Sequence, residues 1–374
     1  MGAESGGGPG AASSGVTCLT APLTAVHLAD PGPADGSADQ RAARRADFAE
    51  LSRRVRDRDL LLRRGGYYAV KITIVVTALA ALIASVVLLG NTWWSLVPAV
   101  GLAFVLAQIG FLGHDAGHRQ VWAHRGANDT TGLMLANLLS GFSFGWWQAK
   151  HSRHHAHTNA EGRDPDIEAG ALVFTPDQVV ACGRFGRWFA GIQPFMLVPL
   201  LFLEALNLHV ASVRALLGRR DRAALVEAGL LVIHTGLFFV APFLVLSPLR
   251  AVVFIIVSQA LYGFYLGVSF LPNHVGMPTV AEGDDRGFLR RQVQSSRNLS
   301  GPALVGFLFG GLDSQIEHHL FPTMPRGNLR RARVVVRGFC AEHDIPYAEQ
   351  SLVHAYRDVV LHLRTVGAGG GTVG

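Results

Sequence analysis

Long apolar stretches alternate with short polar links along the chain. Ala69 to Leu89 (AVKITIVVTALAALIASVVLL) carries one charged residue, Lys71. About 20 residues rising about 1.5 Å each cross a hydrocarbon core of roughly 30 Å. The stretch 69–89 therefore reads as a membrane span whose Lys71 snorkels toward the interface. Gly90-Asn91-Thr92 and an interfacial Trp93-Trp94 pair follow. A second span, 95–113, runs directly into His114. Two more, 224–246 and 250–271, have Ser247-Pro248 between them. The apolar segment 128–147 bears Gly and Asn and is expected to be re-entrant or interfacial. The stretch 188–210 has the length of a span but is interrupted by Pro194, Pro199, Glu204 and Asn207. Residues 300–312 are too short to cross. Nine arginines fall between Arg41 and Arg64, which predicts a charged helix leading to the membrane. Residues 1–40 have no Lys or Arg and are rich in Gly, Ala, Ser and Pro, a disordered composition. After Pro325 the pattern is polar and helical, and the chain closes on a flexible Gly-rich tail, 366–374.

Three short histidine clusters punctuate this pattern, each after an apolar stretch. They are HDAGH (His114, His118), KHSRHH (His151, His154, His155) and QIEHH (Gln315, His318, His319). Of sixteen histidines, seven lie in these windows. The offsets of three and four residues project side chains from one face of a helix, and neutral imidazoles on facing helices can cage a metal. With His274 the imidazoles number eight, too many for one ion and enough for two. Asp115 and Glu317 sit between ligand positions and are expected to orient imidazoles. An all-nitrogen pair of metals at a membrane surface points to oxygen activation by iron rather than hydrolysis by zinc.

Composition narrows the class. The chain is 49% hydrophobic and 16% charged, against about 25% charged in soluble domains. Three cysteines without a CxxC pair exclude a disulfide framework and a thiolate metal site. The net charge of +6 reads as a topology signal rather than a nucleic-acid footprint. The polar start MGAESGGGPG does not resemble a secretory signal. Four spans form two hairpins, with both termini and all three boxes on one side. The links at 90–94 and 247–250 carry only Arg250. The positive-inside rule then puts the boxes and termini in the cytoplasm of a multi-pass cell-membrane protein. An odd number of spans would split the boxes between compartments, so 188–210 should lie along the interface.

HDAGH, KHSRHHAHTN and QIEHHLFP, in this order and with four spans, resemble the membrane fatty acid desaturase family over about residues 45–365. The resemblance implies an all-α membrane domain over 41–365, four transmembrane helices under a cytosolic helical cap, and a histidine-rich di-metal site in that cap. It implies two Fe ions that activate O2 and convert neighbouring methylenes of an acyl-CoA or phospholipid acyl chain into a cis double bond. By match to the family, His114, His118, His151, His154, His155, His318 and His319 are iron ligands, as is His274. Asn273 holds a water, and Gln315 stands where many desaturases have histidine. Gln at that place resembles the front-end subgroup, which inserts a double bond between an existing one and the carboxyl end. No HPGG haem-domain loop occurs, so electrons are expected from an external carrier, a ferredoxin-type protein with an NAD(P)H-dependent reductase. Arg326, Arg330, Arg331 and Arg333 are its expected docking surface.

His157 lies off the face set by the second box and is a marginal ligand candidate. His124, His209, His234, His343, His354 and His362 read as packing or surface groups. Asp164-Pro165-Asp166 could hydrogen-bond ligand imidazoles. Phe142, Phe144, Trp146 and Trp147 could line an acyl tunnel, and Lys150 and Arg153 could hold a CoA or phospholipid headgroup. A lipid or carotenoid hydroxylase or ketolase would share such boxes. A histidine-rich metal transporter would instead place ligands within the spans near mid-membrane.

Overall fold

The computed structural model describes residues 38–369 apart from 282 and 285, with side chains from residue 42. The tails expected over 1–40 and 366–374 lie outside the described residues, except for 38–40 and 366–369 at the ends of two helices. The charged N-terminal stretch forms α1 (Ala38–Arg56), and α2 (Gly65–Leu89) follows. α2 has one charged side chain and no proline, so nothing interrupts its helical hydrogen bonds. After a short turn at Trp93–Ser95 comes α3 (Leu96–Gly117).

Among the described residues, four stretches are long and apolar enough to cross a membrane: Gly65–Leu89, Trp93–Gly117, Arg222–Val245 and Pro248–Asn273. Each overlaps one of the four spans expected from sequence, the third stopping one residue short of the expected end. The second differs most from the other three, with 72% of its apolar window buried against 17–33%. It is the central helix, packed against α2 and against α11 (Pro248–Phe270). Glycine permits that approach: an added Cβ on Gly101 would lie 2.7 Å from Leu82 Cδ2 of α2, and one on Gly110 3.8 Å from Leu266 Cδ2 of α11. The span also runs four residues beyond the expected end, because HDAG continues the helix to Gly117. His114 is thereby fixed on a buried helical turn, and His118 is the residue that caps it.

The segment 128–147 folds as α4 (Arg125–Leu133), a π-helical stretch Met134–Ser140, and the start of α5 (Phe144–Ala156). Gly141 ends the π stretch at φ +83°, and a Cβ there would lie 2.3 Å from His234 Nε2, so both backbone and space require glycine. The N-terminus of α5 is anchored by a buried carboxylate. Glu227 accepts from Ser143 Oγ at 2.5 Å and from Gly145 N at 3.0 Å, and Asn137 Oδ1 accepts from Phe144 N at 3.0 Å. A negative charge at this helix end opposes the helix dipole favourably.

Beyond a short α6 (Pro176–Ala181), the ambiguous stretch forms α7 (Arg184–Leu201) and α8 (Glu204–Leu217), bent by 84° at the break between them. Pro194 and Pro199 lie inside α7. The third span comprises α9 (Arg222–Thr235), a second π stretch at Gly236–Val240, and α10 (Pro242–Val245).

The rest of the chain forms shorter helices: α12 (Gly287–Gln294), α13 (Ala303–Leu308), α14 (Gln315–Leu320), α15 (Arg326–Glu342) and α16 (Leu352–Gly367). A parallel two-stranded ladder of β1 (Asn298–Ser300) and β2 (Glu349–Ser351) ties them together. Leu51 and Val55 of α1, Leu289 of α12, Ile316 of α14 and Val336 of α15 share a core separate from that of the spans. Polar contacts join this body to the spans. Gln120 Nε2 donates to Pro322 O at 2.8 Å and Arg326 N donates to Tyr68 Oη at 3.0 Å, while Tyr68 Oη itself donates to Gln120 Oε1 at 2.8 Å.

Candidate metal centre

Three helices from distant parts of the sequence deliver the boxes to one place. α3 brings His114 and its cap His118, α5 brings His151, His154 and His155, and α14 brings Gln315, His318 and His319. His274 enters from the turn that ends the fourth span. Two groups form. His114, His118, His151 and His318 each offer a ring nitrogen within 4.8 Å of the others, and His154, His274 and His319 do the same. His155 lies between them. Its ring stacks on His319 at 4.2 Å and sits 4.6 Å from His118, with Nε2 3.0 Å from His151 Nε2.

Gln315 faces the second group, its Nε2 2.9 Å from His274 Nε2 and 3.1 Å from His319 Nε2. Its Oε1 is 3.3 Å from Asn273 Nδ2. Turned by 180°, the same amide would present its oxygen to the imidazoles. Asn273 Oδ1 is buried without a partner.

The nitrogens fit cations better than they fit one another. His151 Nε2 is 2.8 Å from His118 Nε2 and 3.0 Å from His155 Nε2, yet a neutral imidazole has one N–H to share. His114 Nε2, His155 Nδ1 and His318 Nε2 are buried with no partner among the described residues. Burial, and then the neighbouring imidazoles, push His118, His151, His155, His318 and His319 well below the ordinary imidazole pKa. Burial holds His274 at about 3. These rings are neutral at physiological pH, the form that ligates metal.

Four of the rings, His114, His154, His274 and His319, are held from behind through Nδ1. His114 Nδ1 is 3.3 Å from Asp115 Oδ1, and Arg326 fixes Asp115 Oδ2 at 2.8 Å. His154 Nδ1 is 3.0 Å from both Asp164 oxygens. Burial lowers the pKa of His154, but Asp166 and Asp164 outweigh it and raise the pKa. His274 Nδ1 donates to Ser295 O at 3.1 Å, and His319 Nδ1 to Gln292 Oε1 at 3.0 Å. Such partners fix the tautomer that leaves Nε2 free for a metal. The aromatic cluster closes one side, with Trp147 stacked on His151 at 4.6 Å.

Several sequence expectations change here. The hydrogen bonds of Glu317 run to Asn298 and Tyr347, each 2.7 Å, and not to an imidazole. It braces α14 against β1. His157 caps α5 and turns its ring to Arg163. Arg326 is buried and engaged with Asp115, while Arg330 and Arg333 both bind Asp313. Of the expected docking arginines, only Arg331 is exposed without an ion pair among the described residues. Lys150 is taken up by Asp166 at 2.5 Å. Gln292 and Arg326 were not foreseen as supports of the imidazoles. Gln292 carries no spacing signal, and Arg326 lies among other arginines.

Comparison with known proteins agrees with this geometry. A family model for fatty acid desaturase matches residues 91–351, well over half of the chain. The chain belongs to the fatty acid desaturase family. It is similar to the Delta(8)-fatty-acid desaturase of Helianthus annuus, 28% identical over 365 residues, covering 92% of this chain and 76% of that protein. It is 31% identical over 332 residues to the Acyl-lipid (9-3)-desaturase of Physcomitrium patens, covering 86% of this chain and 62% of the moss protein. The Delta(6)-fatty-acid desaturase fat-3 of Caenorhabditis elegans is 31% identical over 324 residues, 83% of this chain and 72% of that protein. The chain thus spans between 62% and 76% of the length of these relatives. Its family makes it a membrane oxidoreductase of lipid metabolism.

Asp164 is buried and meets the second group only through the Nδ1 of His154, which makes its role testable by metal retention. Asp164→Ala should weaken iron retention by about 10- to 100-fold, measured by elemental analysis against chelator concentration. Unchanged retention would show that Asp164 serves only the turn after α5.

Proposed function

We propose that this chain, a desaturase by family, inserts a cis double bond into a fatty acyl chain carried on CoA or a membrane lipid, in the front-end manner. The observation that carries the reading is the pair of adjoining imidazole groups with His155 between them and Gln315 beside the second. His114, His118, His151 and His318 would hold one iron, and His154, His274 and His319 the other. His155 lies within reach of both groups, and the Gln315 amide oxygen, once turned, adds to the second. Asn273 Oδ1 is placed to hold a water. When bound, the two irons supply O2 activation and removal of two hydrogens from neighbouring methylenes.

The protein's share is positional. Asp115, Asp164, Gln292 and Ser295 O fix the imidazoles, so no reorganisation accompanies turnover. Trp147, Phe142 and Phe144 exclude water beside His151 and offer an apolar wall to a methylene chain. Overall, the –CH2–CH2– unit loses two hydrogens, and these with O2, two electrons and two protons yield two waters. The two electrons come from outside the chain, and we assign them to a ferredoxin-type carrier with its NAD(P)H-dependent reductase. Support for front-end selectivity is the Gln of QIEHH and the Delta(8) and Delta(6) names of the relatives. The arginine asymmetry supports a cell-membrane protein with termini and metal site toward the cytoplasm.

Expression in a host of known fatty acids, with mass spectrometry to locate double bonds, tests the reaction. A new double bond on the carboxyl side of an existing one is expected, with close to two irons per purified chain. A hydroxylated or keto product would assign the same site to a hydroxylase or ketolase instead.

Gln315→Ala should remove nearly all turnover while the protein still folds and extracts like wild type. Turnover at the wild-type rate would detach Gln315 from the metal site and take away the main support for front-end selectivity.

A reporter fused after Gly374 should be cytoplasmic, and one inserted at Asn91 exterior. An exterior C-terminus would mean that α7 and α8 together cross the membrane, and the proposed orientation would fail.

A further inference from the structure

Lys71 is the only charged residue of α2, and it stands on a face open to lipid. Val70 and Ile74 beside it are each 60% exposed. Its Nζ lies 4.9 Å from the ring centre of Phe307 and 5.4 Å from that of Tyr67. Phe307 belongs to α13, whose Leu304 is also exposed and apolar. No carboxylate lies within ion-pair distance of Lys71 or of Arg64 among the described residues. The acid behind this surface, Asp115, is already bound by Arg326. Arg64 belongs to the same patch: its Nη1 and the Tyr67 ring both come within 4 Å of where a Cβ on Gly327 would be. Two cations, two aromatic rings and an apolar rim thus share one edge of the bundle, without the anion that their charge calls for.

We propose that Arg64, Tyr67, Lys71 and Phe307 bind the phosphate of a membrane phospholipid in the leaflet beside the metal centre. Ammonium and guanidinium groups bind phosphate oxygens through charge-assisted hydrogen bonds. A phospholipid, rather than a soluble phosphate ester, is the occupant because Lys71 sits inside an apolar, lipid-facing surface. Of the two headgroup cations expected from sequence, Lys150 is neutralised by Asp166, and Arg153 is exposed on α5. The patch also lies close to the chemistry. Tyr68, next to Tyr67, receives Arg326 N, and Arg326 grips Asp115 behind His114. The inference rests on the proposed reaction for its link to catalysis, and on the cation patch alone for binding.

The test is native mass spectrometry of the purified full-length protein titrated with phosphatidylcholine, with diacylglycerol of the same chains, and with acyl-CoA. Lys71→Leu combined with Arg64→Gln should weaken phosphatidylcholine binding about tenfold and leave diacylglycerol binding unchanged. Lys71→Arg alone should bind as wild type. Unchanged phosphatidylcholine binding overturns the site. Equal loss for diacylglycerol overturns it as well, because packing rather than charge would then be at work. A loss confined to acyl-CoA overturns the phospholipid assignment. In turnover assays the double variant should lower kcat/KM for the lipid-linked chain about tenfold relative to the CoA ester. The binding arms need no turnover, so a protein that binds as expected but never desaturates sinks the proposed reaction and leaves this site standing.

Discussion

A close-packed cluster of imidazoles, most of them held neutral, is an electrostatic problem that cations resolve. Eight rings converge, four buried and four half-buried, and nitrogens of His118, His151 and His155 approach to 2.8–3.0 Å. A neutral ring brings one donor and one acceptor, and His154, His274 and His319 turn Nδ1 to groups behind them: Asp164, Ser295 O and Gln292. The remaining nitrogens are lone pairs aimed inward. Protonating them would gather several positive charges at low dielectric, and leaving them bare strands buried acceptors. A metal ion answers both difficulties at once. The rest of the architecture serves to hold this arrangement against its own repulsion.

The buried carboxylates show how that is done. Asp115 and Glu227 each sit where an otherwise unfavourable buried charge is matched. Asp115 bridges His114 and the guanidinium of Arg326, linking the end of α3 to the start of α15. Glu227 takes the N-terminus of α5 and Arg219, fixing the box-two helix to the third span. Removing one member would leave its partner unpaired in the interior, the costly direction for a buried pair. Imidazole positions are therefore set by ties between the spans and the shorter helices, and not by the box helices alone.

The four spans and the one-face geometry of the boxes were legible because both depend on local periodicity. A run of about 20 apolar residues is its own evidence, and offsets of three and four residues need no tertiary information. The bend between α7 and α8 was partly legible, since two prolines and Glu204 interrupt an otherwise adequate span. What could not be read was the pairing of side chains far apart in sequence. Arg326 looked like one more surface arginine of a basic helix, yet it is buried 211 residues from Asp115 in the chain. Glu317 looked like a support for its histidine neighbours, but helix geometry turns it to the opposite face, onto Asn298 and Tyr347.

The same reasoning explains why the imidazoles divide into two groups rather than one. α3 and α5 present His114, His118 and His151 to one another, and His318 joins them from α14. The next position on α14, His319, is rotated by about 100°, so it cannot join the same set and meets His154 and His274 instead. Adjacent histidines on one short helix thus belong to two different imidazole groups. The consecutive pair His154-His155 on α5 divides in the same sense, with His154 in the second group and His155 between the two. Consecutive histidines in two of the boxes are the sequence form of two adjoining imidazole groups. The pairs on α5 and α14 place these groups side by side, with the rings of His155 and His319 stacked at 4.2 Å where they meet.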